Sequence, residues 1–195
     1  MAYIRKDIYY KKAKNQGYRS RAVYKLYEID NKFNILNKAC RILELGAAPG
    51  SWSQAILKNL RNGDLLVAID RLKFSNINNK NFYFINTDIF DKNIIDKIIN
   101  ISNDFDLILS DAAPNTTGDK NVDHYSSVGI VDQVLYLSTK LLNAKGNLIC
   151  KFFDGSEREA IKRKASDLFR DIHIYKPKST RKNSFEIYLI GINKN

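Results

Sequence analysis

Aspartates stand at the ends of three consecutive apolar segments of the sequence. These segments predict buried strands, at residues 65–69, 82–85 and 106–110. Asp70, Asp88 and Asp111 follow them. Because helical patterns alternate with the strands, the sheet is predicted to be parallel, and its carboxyl edge is where such sheets bind ligands. One aspartate there is usually a turn former, but three at corresponding places predict the carboxylates of a binding site.

The first predicted strand ends in a turn, Gly-Ala-Ala-Pro-Gly at residues 46–50, that leads into a helix. It lacks the Gly-x-Gly-x-x-Gly spacing of a dinucleotide site, and Pro49 has no N–H to offer a pyrophosphate. Gly46 and Gly50 would let the backbone approach a ligand closely, and Asp70 is placed to accept hydrogen bonds from ribose hydroxyls. These features favour an adenosyl group carried on sulfur. The alternative is a structural turn whose glycines only ease packing.

Three further charged residues occupy unusual places. Lys151 lies within an apolar fifth strand, and Glu186 lies among apolar residues of the final predicted strand. An unpaired buried ammonium costs several kcal/mol, so Lys151 needs a partner, for which Asp111 on the neighbouring strand is the obvious candidate. Lys25 lies on an amphipathic helix predicted at residues 21–33, where it either faces solvent or points into a site.

Basic and aromatic residues are concentrated near the N-terminus. Residues 5–25 contain eight Lys or Arg and one acid, Asp7, with four tyrosines interleaved. Lys and Arg neutralise phosphates and tyrosine rings stack on unpaired bases, so the combination favours RNA over the alternative of a solvated basic tail. With the basic loop at residues 176–182, the predicted RNA-binding residues are Lys11, Lys12, Lys14, Arg19, Arg21, Lys176, Lys178 and Arg181.

Length and composition narrow the class of protein. A chain of 195 residues can bury about 70% of its unfolded surface, so we expect a single domain at 1–195 with a basic segment at about 1–21. The formal net charge of +11 favours a polyanionic partner. The absence of a long apolar run or signal-peptide core predicts a soluble intracellular protein without a membrane anchor.

Other patterns predict structure and not chemistry. Cys40 and Cys150 are too few for a disulfide framework and are expected to be reduced and buried. His124 and His173 receive no role, and no cluster with metal-ligand spacing is present, so no metal is predicted. The remaining predictions are a polar loop at 116–127, a helix at 128–142 closed by Lys145 and Gly146, and a capping box formed by Ser156 and Glu159.

In combination, these motifs resemble the RrmJ/FtsJ ribose 2′-O-methyltransferases. The resemblance extends from Asp7 to Gly191, and it is carried by residues 17–22, 25–26, 45–50, 52–54 and 110–115, by Lys151, and by 176–177 with Ser179 and Arg181. The catalytic Lys-Asp-Lys-Glu tetrad of that family corresponds to Lys25, Asp111, Lys151 and Glu186. Two departures are Ser51, where many members have a second glycine, and Ala112, where methionine is common.

The resemblance implies a Rossmann-like class I α/β fold, with helices on both faces of a seven-stranded, mostly parallel sheet whose last strand is antiparallel. It implies S-adenosyl-L-methionine as methyl donor. Its donor-binding residues correspond to Gly46, Gly50, Trp52, Asp70 at the ribose, Asp88 near the adenine and Asp111 near the methionine portion. The implied mechanism is attack by a ribose 2′-hydroxyl on the sulfonium methyl. Lys151 would take the hydroxyl proton or stabilise the alkoxide, while Lys25 and Glu186 orient the ribose.

The leading interpretation is methylation of a uridine ribose in large-subunit ribosomal RNA, by a monomer that acts on naked RNA or an assembled subunit. It places the protein in an organelle such as the mitochondrion or in a bacterial cytoplasm. A transfer RNA anticodon-loop 2′-O-methyltransferase is the alternative, because residues 7–14 are similar to the eukaryotic tRNA branch. A non-catalytic RNA-binding protein is the second alternative. A small-molecule methyltransferase would have no use for the basic segments.

Overall fold

A seven-stranded sheet forms the centre of the chain, which a computed structural model describes over residues 8–195. The strands are β1 (Arg41–Leu45), β2 (Leu65–Asp70), β3 (Phe82–Asn86), β4 (Phe105–Ser110), β5 (Leu142–Phe153), β6 (Phe169–Tyr175) and β7 (Glu186–Lys194). Their order is β3-β2-β1-β4-β5-β7-β6. The first five strands are parallel, and β7 runs antiparallel to both β5 and β6. The predicted fold class is confirmed.

Helices cover both faces of this sheet, also as predicted. They are α1 (Ile8–Asn15), α2 (Val23–Phe33), α3 (Ser51–Leu57), α4 (Ile94–Ile99), α5 (Lys120–Leu141) and α6 (Arg158–Ser166), with a short 3-10 helix at Leu36–Lys38. Strand side chains alternate between the faces, so Leu43 joins the apolar cluster under α4, α5 and α6, while Ile42 joins the cluster under α1, α2 and α3. Of the predicted basic segment, Arg5, Lys6 and Asp7 lie outside the described residues.

From β1 the chain first adds strands on one side of the sheet, β2 and β3, and then adds the remaining strands on the other side, starting with β4. Strand β1 pairs with β2 on one side and with β4 on the other. The connections that follow β1 and β4 therefore leave in opposite directions and open a crevice at the carboxyl edge, which is where open α/β sheets bind ligands.

Helix α5 begins earlier than the sequence pattern predicts. The predicted loop at 116–127 is wrong beyond residue 119, because the Asp119 carboxylate caps the helix by accepting from the backbone N–H groups of Asn121 and Val122, at 2.8 and 3.2 Å. His124 is therefore buried and structural: its Nδ1 lies 2.7 Å from the Phe153 carbonyl oxygen and its Nε2 accepts from the Glu157 N–H.

Three smaller expectations are also wrong. Helix α5 ends at Leu141, and Lys145 adopts a left-handed conformation, φ 64°, within β5. Ser156 and Glu159 form no capping box, because α6 begins at Arg158 without a side-chain cap. Cys150 is buried as predicted, but Cys40 is exposed because it precedes β1.

Two features are absent from residues 8–195. Within this range no helix combines the length and the apolar composition that crossing a bilayer requires. The same residues contain no group of three or more His, Cys, Asp or Glu side chains arranged to hold a metal ion.

Candidate active site

A cleft of about 530 Å³ opens at the carboxyl edge of the sheet. Its walls include Gly46 after β1, Asp70 at the end of β2, Asp88 after β3, Asp111 after β4, and Lys151 of β5. The structure thus brings together the three aspartates that the strand pattern placed at one edge. Parallel strands explain this convergence, because their carboxyl ends all point the same way.

Asp70 and Asp88 share one local geometry. Asp70 Oδ1 accepts from the N–H of Leu72 at 2.7 Å, and Asp88 Oδ1 accepts from the N–H of Phe90 at 3.0 Å. Asp70 Oδ2 also accepts from the N–H of Ala48 at 2.8 Å, which ties the turn after β1 to the end of β2. A carboxylate has about four acceptor positions, so both side chains retain positions for a ligand.

Each of these turns also presents an apolar side chain at the cleft. Leu72 and Phe90, two residues after Asp70 and Asp88, line it and are 62% and 57% exposed. Neither residue was predicted from the sequence. At both places the sequence has an aspartate followed two residues later by a large apolar residue. An aspartate at a turn accepts from the backbone N–H two residues further on, so this repeated spacing was a signal for both residues.

The cleft fits a ligand with a cationic portion and a flat apolar portion. Among the described residues that line it, three carboxylates (Asp70, Asp88 and Asp111) outnumber the two cations, Arg71 and Lys151. Leu72 and Phe90 supply apolar surface in the same cleft. S-adenosylmethionine has these features, since it has a sulfonium, an ammonium group and an adenine ring.

Lys151 and Asp111 form a buried ion pair at one end of the cleft. The Lys151 Nζ lies 3.0 Å from Asp111 Oδ1 and also donates to the Asp111 backbone oxygen. The pairing follows from the sheet, in which Ser110 of β4 lies opposite Cys150 of β5. The predicted partner of Lys151 is therefore the observed one, and the pairing offsets the cost of a lysine that is only 7% exposed.

Tyr188 is a third member of this cluster that the sequence analysis missed. Its hydroxyl donates to Asp111 Oδ1 at 2.9 Å, and it lies directly opposite Lys151 in the β5–β7 pairing. Burial raises the pKa of Tyr188 well above its usual value, and the neighbouring carboxylates of Asp111 and Glu186 raise it further. The side chain therefore stays neutral and remains a hydrogen-bond donor.

Lys25 and Glu186 form a second ion pair. Lys25 on α2 contacts Glu186 at the start of β7, and each side chain is 13% exposed. Glu186 and Tyr188 are two residues apart on one strand, so both point to the same face of the sheet. Because Tyr188 is opposite Lys151, Glu186 is a diagonal neighbour of Lys151 on that face. The four charged residues of the predicted tetrad thus form two adjacent ion pairs.

The walls of the cleft do not include Gly50 or Trp52. A Cβ on Gly50 would lie 2.8 Å from the Arg19 guanidinium and 2.9 Å from the Phe74 ring. Trp52 is 2% exposed in the core beneath α2, where its indole N–H donates to the Ala22 carbonyl at 2.8 Å. Their predicted place in a donor pocket is not reproduced, because both residues pack against protein groups instead.

Gly46 does line the cleft, but its lack of a side chain serves another contact. A Cβ there would lie 2.5 Å from the backbone N and Cα of Ala112, and its φ is 74°. Glycine is needed because two strand ends meet at this point.

A buried carboxyl group lies on β1, the strand that leads into the turn at residues 46–50. Glu44 of β1 is 1% exposed and accepts a hydrogen bond of 2.5 Å from the Ser53 hydroxyl. Burial raises the pKa of Glu44 to about 8, with further contributions from the charges of Asp111 and Asp70. Glu44 was not predicted as a site residue, although a charged residue within an apolar strand is the signal that identified Lys151.

Of the predicted RNA-binding residues, Arg19 and Arg21 are half-buried, and the other six are exposed: Lys11, Lys12, Lys14, Lys176, Lys178 and Arg181. Arg19 donates to the carbonyls of Pro49 and Asn76, and Arg21 donates to the carbonyl of Ser179. Lys176 donates to the carbonyl of Ser184, and the Lys12 ammonium lies over the Tyr24 ring. The structure therefore assigns Arg19 a contact that braces the turn after β1.

Known proteins resemble the chain over nearly its whole length. The profile of the FtsJ-like methyltransferase family matches residues 18–194. Ribosomal RNA large subunit methyltransferase E of Borrelia duttonii is 45% identical over 186 residues, which cover 95% of this chain and 94% of the relative. The protein of the same name from Methanothermobacter thermautotrophicus is 39% identical over 188 residues, 96% and 89% of the two chains. The crystal structure of a Plasmodium falciparum ribosomal RNA methyltransferase matches with a TM-score of 0.80 at 35% identity, covering 91% and 98%.

Proposed function

Because the chain belongs to the FtsJ-like methyltransferase family, we propose that it methylates a ribose 2′-hydroxyl of large-subunit ribosomal RNA, with S-adenosylmethionine as donor. The observation that carries this proposal is the Lys151–Asp111 ion pair at the end of the ligand cleft, next to the Lys25–Glu186 pair. A buried lysine held at the boundary between a donor site and a basic surface is suited to act on a hydroxyl proton.

The cleft supplies the contacts that the donor requires. Asp70 would accept hydrogen bonds from the ribose hydroxyls. Asp88 would lie near the adenine, for which Leu72 and Phe90 supply apolar surface in the same cleft. Asp111 would attract the cationic methionine portion, whose ammonium and sulfonium complement the acidic lining. Bound S-adenosylmethionine supplies an electrophilic methyl group. The protein's own contribution is to align the acceptor with that group and to manage the acceptor's proton.

Lys151 is the residue that manages this proton. It donates to the Asp111 backbone oxygen, and its Nζ lies 3.0 Å from Asp111 Oδ1, so the ammonium keeps donor capacity for the oxygen of a 2′-hydroxyl. Lys25 and Glu186, on the same side of the sheet, would position the ribose. Tyr188 donates to the same Asp111 carboxylate oxygen that Lys151 approaches.

The names of the relatives support ribosomal RNA of the large subunit as the substrate class, since both curated relatives are large-subunit methyltransferases. The exposed lysines of α1 and of the loop at 176–182 support an RNA partner. We further propose a uridine as the target and a monomer, acting as one domain, as the active form. The protein would act where large ribosomal subunits are assembled.

A methylation map tests this function. Ribose methylation is compared in ribosomal RNA and transfer RNA from cells with and without the protein. We expect loss of one 2′-O-methyl group, at a uridine of large-subunit RNA, and its restoration by wild type but not by Lys151→Met. Loss of a methyl group in a tRNA anticodon loop would instead support the tRNA alternative, and no change in either RNA pool would contradict the proposal.

Labelled donor distinguishes the two forms of the RNA substrate. Purified protein is incubated with S-adenosylmethionine carrying a labelled methyl group and with either naked large-subunit RNA or large subunits from cells that lack the protein. We expect label in the RNA of at least one of the two. Tight RNA binding without transfer to either substrate would favour a non-catalytic RNA-binding protein.

A further inference from the structure

We propose that Gln54 is a positioning residue that makes the binding of donor and RNA cooperative, so that each ligand binds more tightly when the other is present. This inference rests on the proposed function, because it concerns how the two ligands of that reaction influence each other. Gln54 lies on α3, the helix that follows the turn after β1. Its side chain holds residues 17–22, the segment that leads into α2.

The Gln54 carboxamide bonds the backbone of this segment through both of its polar atoms. Its Oε1 accepts from the Arg19 N–H at 2.9 Å, and its Nε2 donates to the Gly17 carbonyl at 3.1 Å. A carboxamide offers both a donor and an acceptor, as a peptide group does. The two bonds together therefore fix the orientation of the segment relative to α3.

Two further contacts join the same parts of the chain. The Ser51 hydroxyl, at the start of α3, lies 2.7 Å from the Ser20 hydroxyl, and the Trp52 indole N–H donates to the Ala22 carbonyl at 2.8 Å. Ser51 stands where many members of the family have a second glycine. The contact with Ser20 gives this serine a role that glycine, which has no hydroxyl, would not fill.

Arg19 extends the contact from α3 to the turn itself. Its guanidinium donates to the Pro49 carbonyl at 3.1 Å. Gly46 and Ala48 of the same turn line the donor cleft. The turn after β1 thus contributes to the donor site at one place and binds residues 17–22 at another.

The other end of the segment leads to the proposed site of the acceptor ribose. Helix α2 begins directly after it and carries Lys25, which pairs with Glu186. A donor in the cleft restricts the turn, and the hydrogen bonds of Gln54 extend that restriction to residues 17–22. RNA that binds to an ordered segment loses less conformational entropy, so the coupling is positive and needs no change of fold. By thermodynamic linkage, RNA strengthens donor binding by the same factor.

Binding measurements test the coupling without methyl transfer. S-Adenosylhomocysteine, which lacks the transferable methyl group, is titrated by calorimetry in the presence and absence of an in vitro transcript of large-subunit RNA. RNA affinity is measured by filter binding with and without the same compound. In the wild type we expect each ligand to raise the affinity of the other about 5- to 20-fold, at the lower end of the range typical of coupled sites.

Gln54→Met nearly preserves the size of the side chain but removes both hydrogen bonds. We expect the coupling factor to fall below about twofold, while donor affinity measured without RNA changes less than about threefold. Gln54→Glu keeps the acceptor for the Arg19 N–H and should retain part of the coupling. Asn59→Ala is the matched control, because its carboxamide donates to the Ala55 carbonyl of α3 itself, and its coupling should equal that of the wild type.

Ser51→Ala is a second and milder test of the same contacts. It removes the contact with the Ser20 hydroxyl, and we expect it to lower the coupling factor about two- to threefold. A role in stability alone would not produce this result, because lower stability does not change the ratio of the affinities measured with and without the other ligand.

Two results would overturn the inference: equal affinities with and without the other ligand in the wild type, or a wild-type coupling factor in both Gln54→Met and Ser51→Ala. Methyl transfer by the wild type, measured in parallel, reports on the proposed function. If transfer fails but the coupling is present in the wild type and lost in Gln54→Met, the role of Gln54 stands and the assigned reaction is wrong.

Discussion

At the scale of single residues, the surroundings of Lys151 restrict its chemistry. Its ammonium is 7% exposed and is bound by both the carboxylate and the backbone oxygen of Asp111. An ammonium group has three N–H donors, so Lys151 keeps donor capacity for a substrate oxygen. The ion pair therefore fixes the direction of this lysine as well as compensating for its burial.

We expect Lys151→Met to lower the rate of methyl transfer about 10²- to 10⁴-fold, the range typical of a lost proton-transfer group. Donor affinity should change little, because Asp70, Asp88 and Asp111 remain in the cleft. Single-turnover kinetics and calorimetric donor titration measure the two quantities. Lys162→Met on the exposed side of α6 is the control, and near wild-type turnover in Lys151→Met would contradict the assignment.

Lys151→Arg distinguishes a base from an electrostatic stabiliser. Arginine retains the positive charge and the pairing with Asp111 but is not deprotonated in proteins. Substantial activity in this variant would indicate stabilisation of the alkoxide by charge. Loss comparable to that of Lys151→Met, together with a wild-type rate that rises with pH, would indicate that Lys151 accepts the proton.

Glu44 makes stability depend on pH. Its pKa is about 8 in the folded chain, above the usual value of about 4.3, so the folded state keeps a proton that the unfolded state loses. Both states are protonated below about pH 4. As pH rises from there to about 8, the unfolded state binds fewer protons, and stability falls. At about 1.4 kcal/mol for each unit of pKa difference, the total is a few kcal/mol.

We therefore expect Glu44→Gln to be more stable than wild type at pH 8, with the difference shrinking towards pH 5. Glutamine resembles the protonated side chain and can still accept from the Ser53 hydroxyl. Urea unfolding across this pH range measures the effect. Glu159→Gln, an exposed acid on α6, is the control. A constant difference between wild type and Glu44→Gln at all pH values would contradict the role of this proton.

At the scale of elements, the carboxyl edge is formed by strand ends that approach each other closely. Gly46 after β1 meets the backbone of Ala112 after β4, and Asp70 at the end of β2 accepts from the Ala48 N–H. The turn after β1 is thus fixed from both neighbouring strands. Its shape depends on protein contacts on each side and defines one wall of the ligand cleft.

We expect Gly46→Ala to lower the free energy of unfolding by about 2 to 5 kcal/mol, because its φ of 74° is strained for alanine and its Cβ would lie 2.5 Å from Ala112 backbone atoms. Gly129→Ala is the matched control. Gly129 lies within α5 with no atom near its Cβ position, so that variant should be neutral or more stable by up to about 1 kcal/mol. Urea unfolding compares them, and equal effects would be inconsistent with the close approach.

Glu28 connects α2 to the basic loop. Its carboxylate accepts from the N–H groups of Lys178 and Ser179 at 2.5 and 2.9 Å, across 150 residues of sequence. In Glu28→Gln we expect these two amides to exchange hydrogen about 10- to 100-fold faster. Exchange measured by NMR, with Glu159→Gln as control, tests this. Unchanged protection of both amides would show that other contacts hold the loop.

At the scale of the whole molecule, charge is segregated. The chain has a net charge of +11, yet three carboxylates line the ligand cleft, while exposed basic residues occupy α1 and the loop at 176–182. An acidic pocket within a basic protein allows a cationic donor and a polyanionic acceptor to bind side by side without competing for the same charges.

This arrangement predicts different salt dependences for the two ligands. Raising KCl from 50 to 200 mM should weaken RNA binding roughly 300- to 2,000-fold, if about six basic residues neutralise phosphates. Donor affinity should change less than threefold, because few of its contacts release counterions. Filter binding and calorimetry measure the two affinities. RNA affinity that is insensitive to salt would contradict the basic surface as the site of contact.

The sequence by itself determined the fold class and the convergence of the acidic side chains. Apolar strands alternating with helical patterns specify a parallel sheet, and residues that follow such strands necessarily meet at its carboxyl edge. The pairing of Lys151 with Asp111 was predictable for the same reason, because a buried ammonium requires a nearby anion and neighbouring strands supply it. These inferences depend on local periodicity and on the cost of burying charge, both of which can be read along the chain.

Only the tertiary structure decided which distant groups meet. The partner of Glu186 is Lys25, Tyr188 bonds Asp111, and Glu28 holds the loop at 178–179. Sequence patterns indicate the types of these residues but not their partners. The chain has many charged residues of each type, and the antiparallel register and the packing of α2 determine which of them come into contact. The same limit explains Gly50 and Trp52, whose types suit a ligand pocket. The packing of Arg19, Phe74 and Ala22 against them assigned both to the protein interior instead.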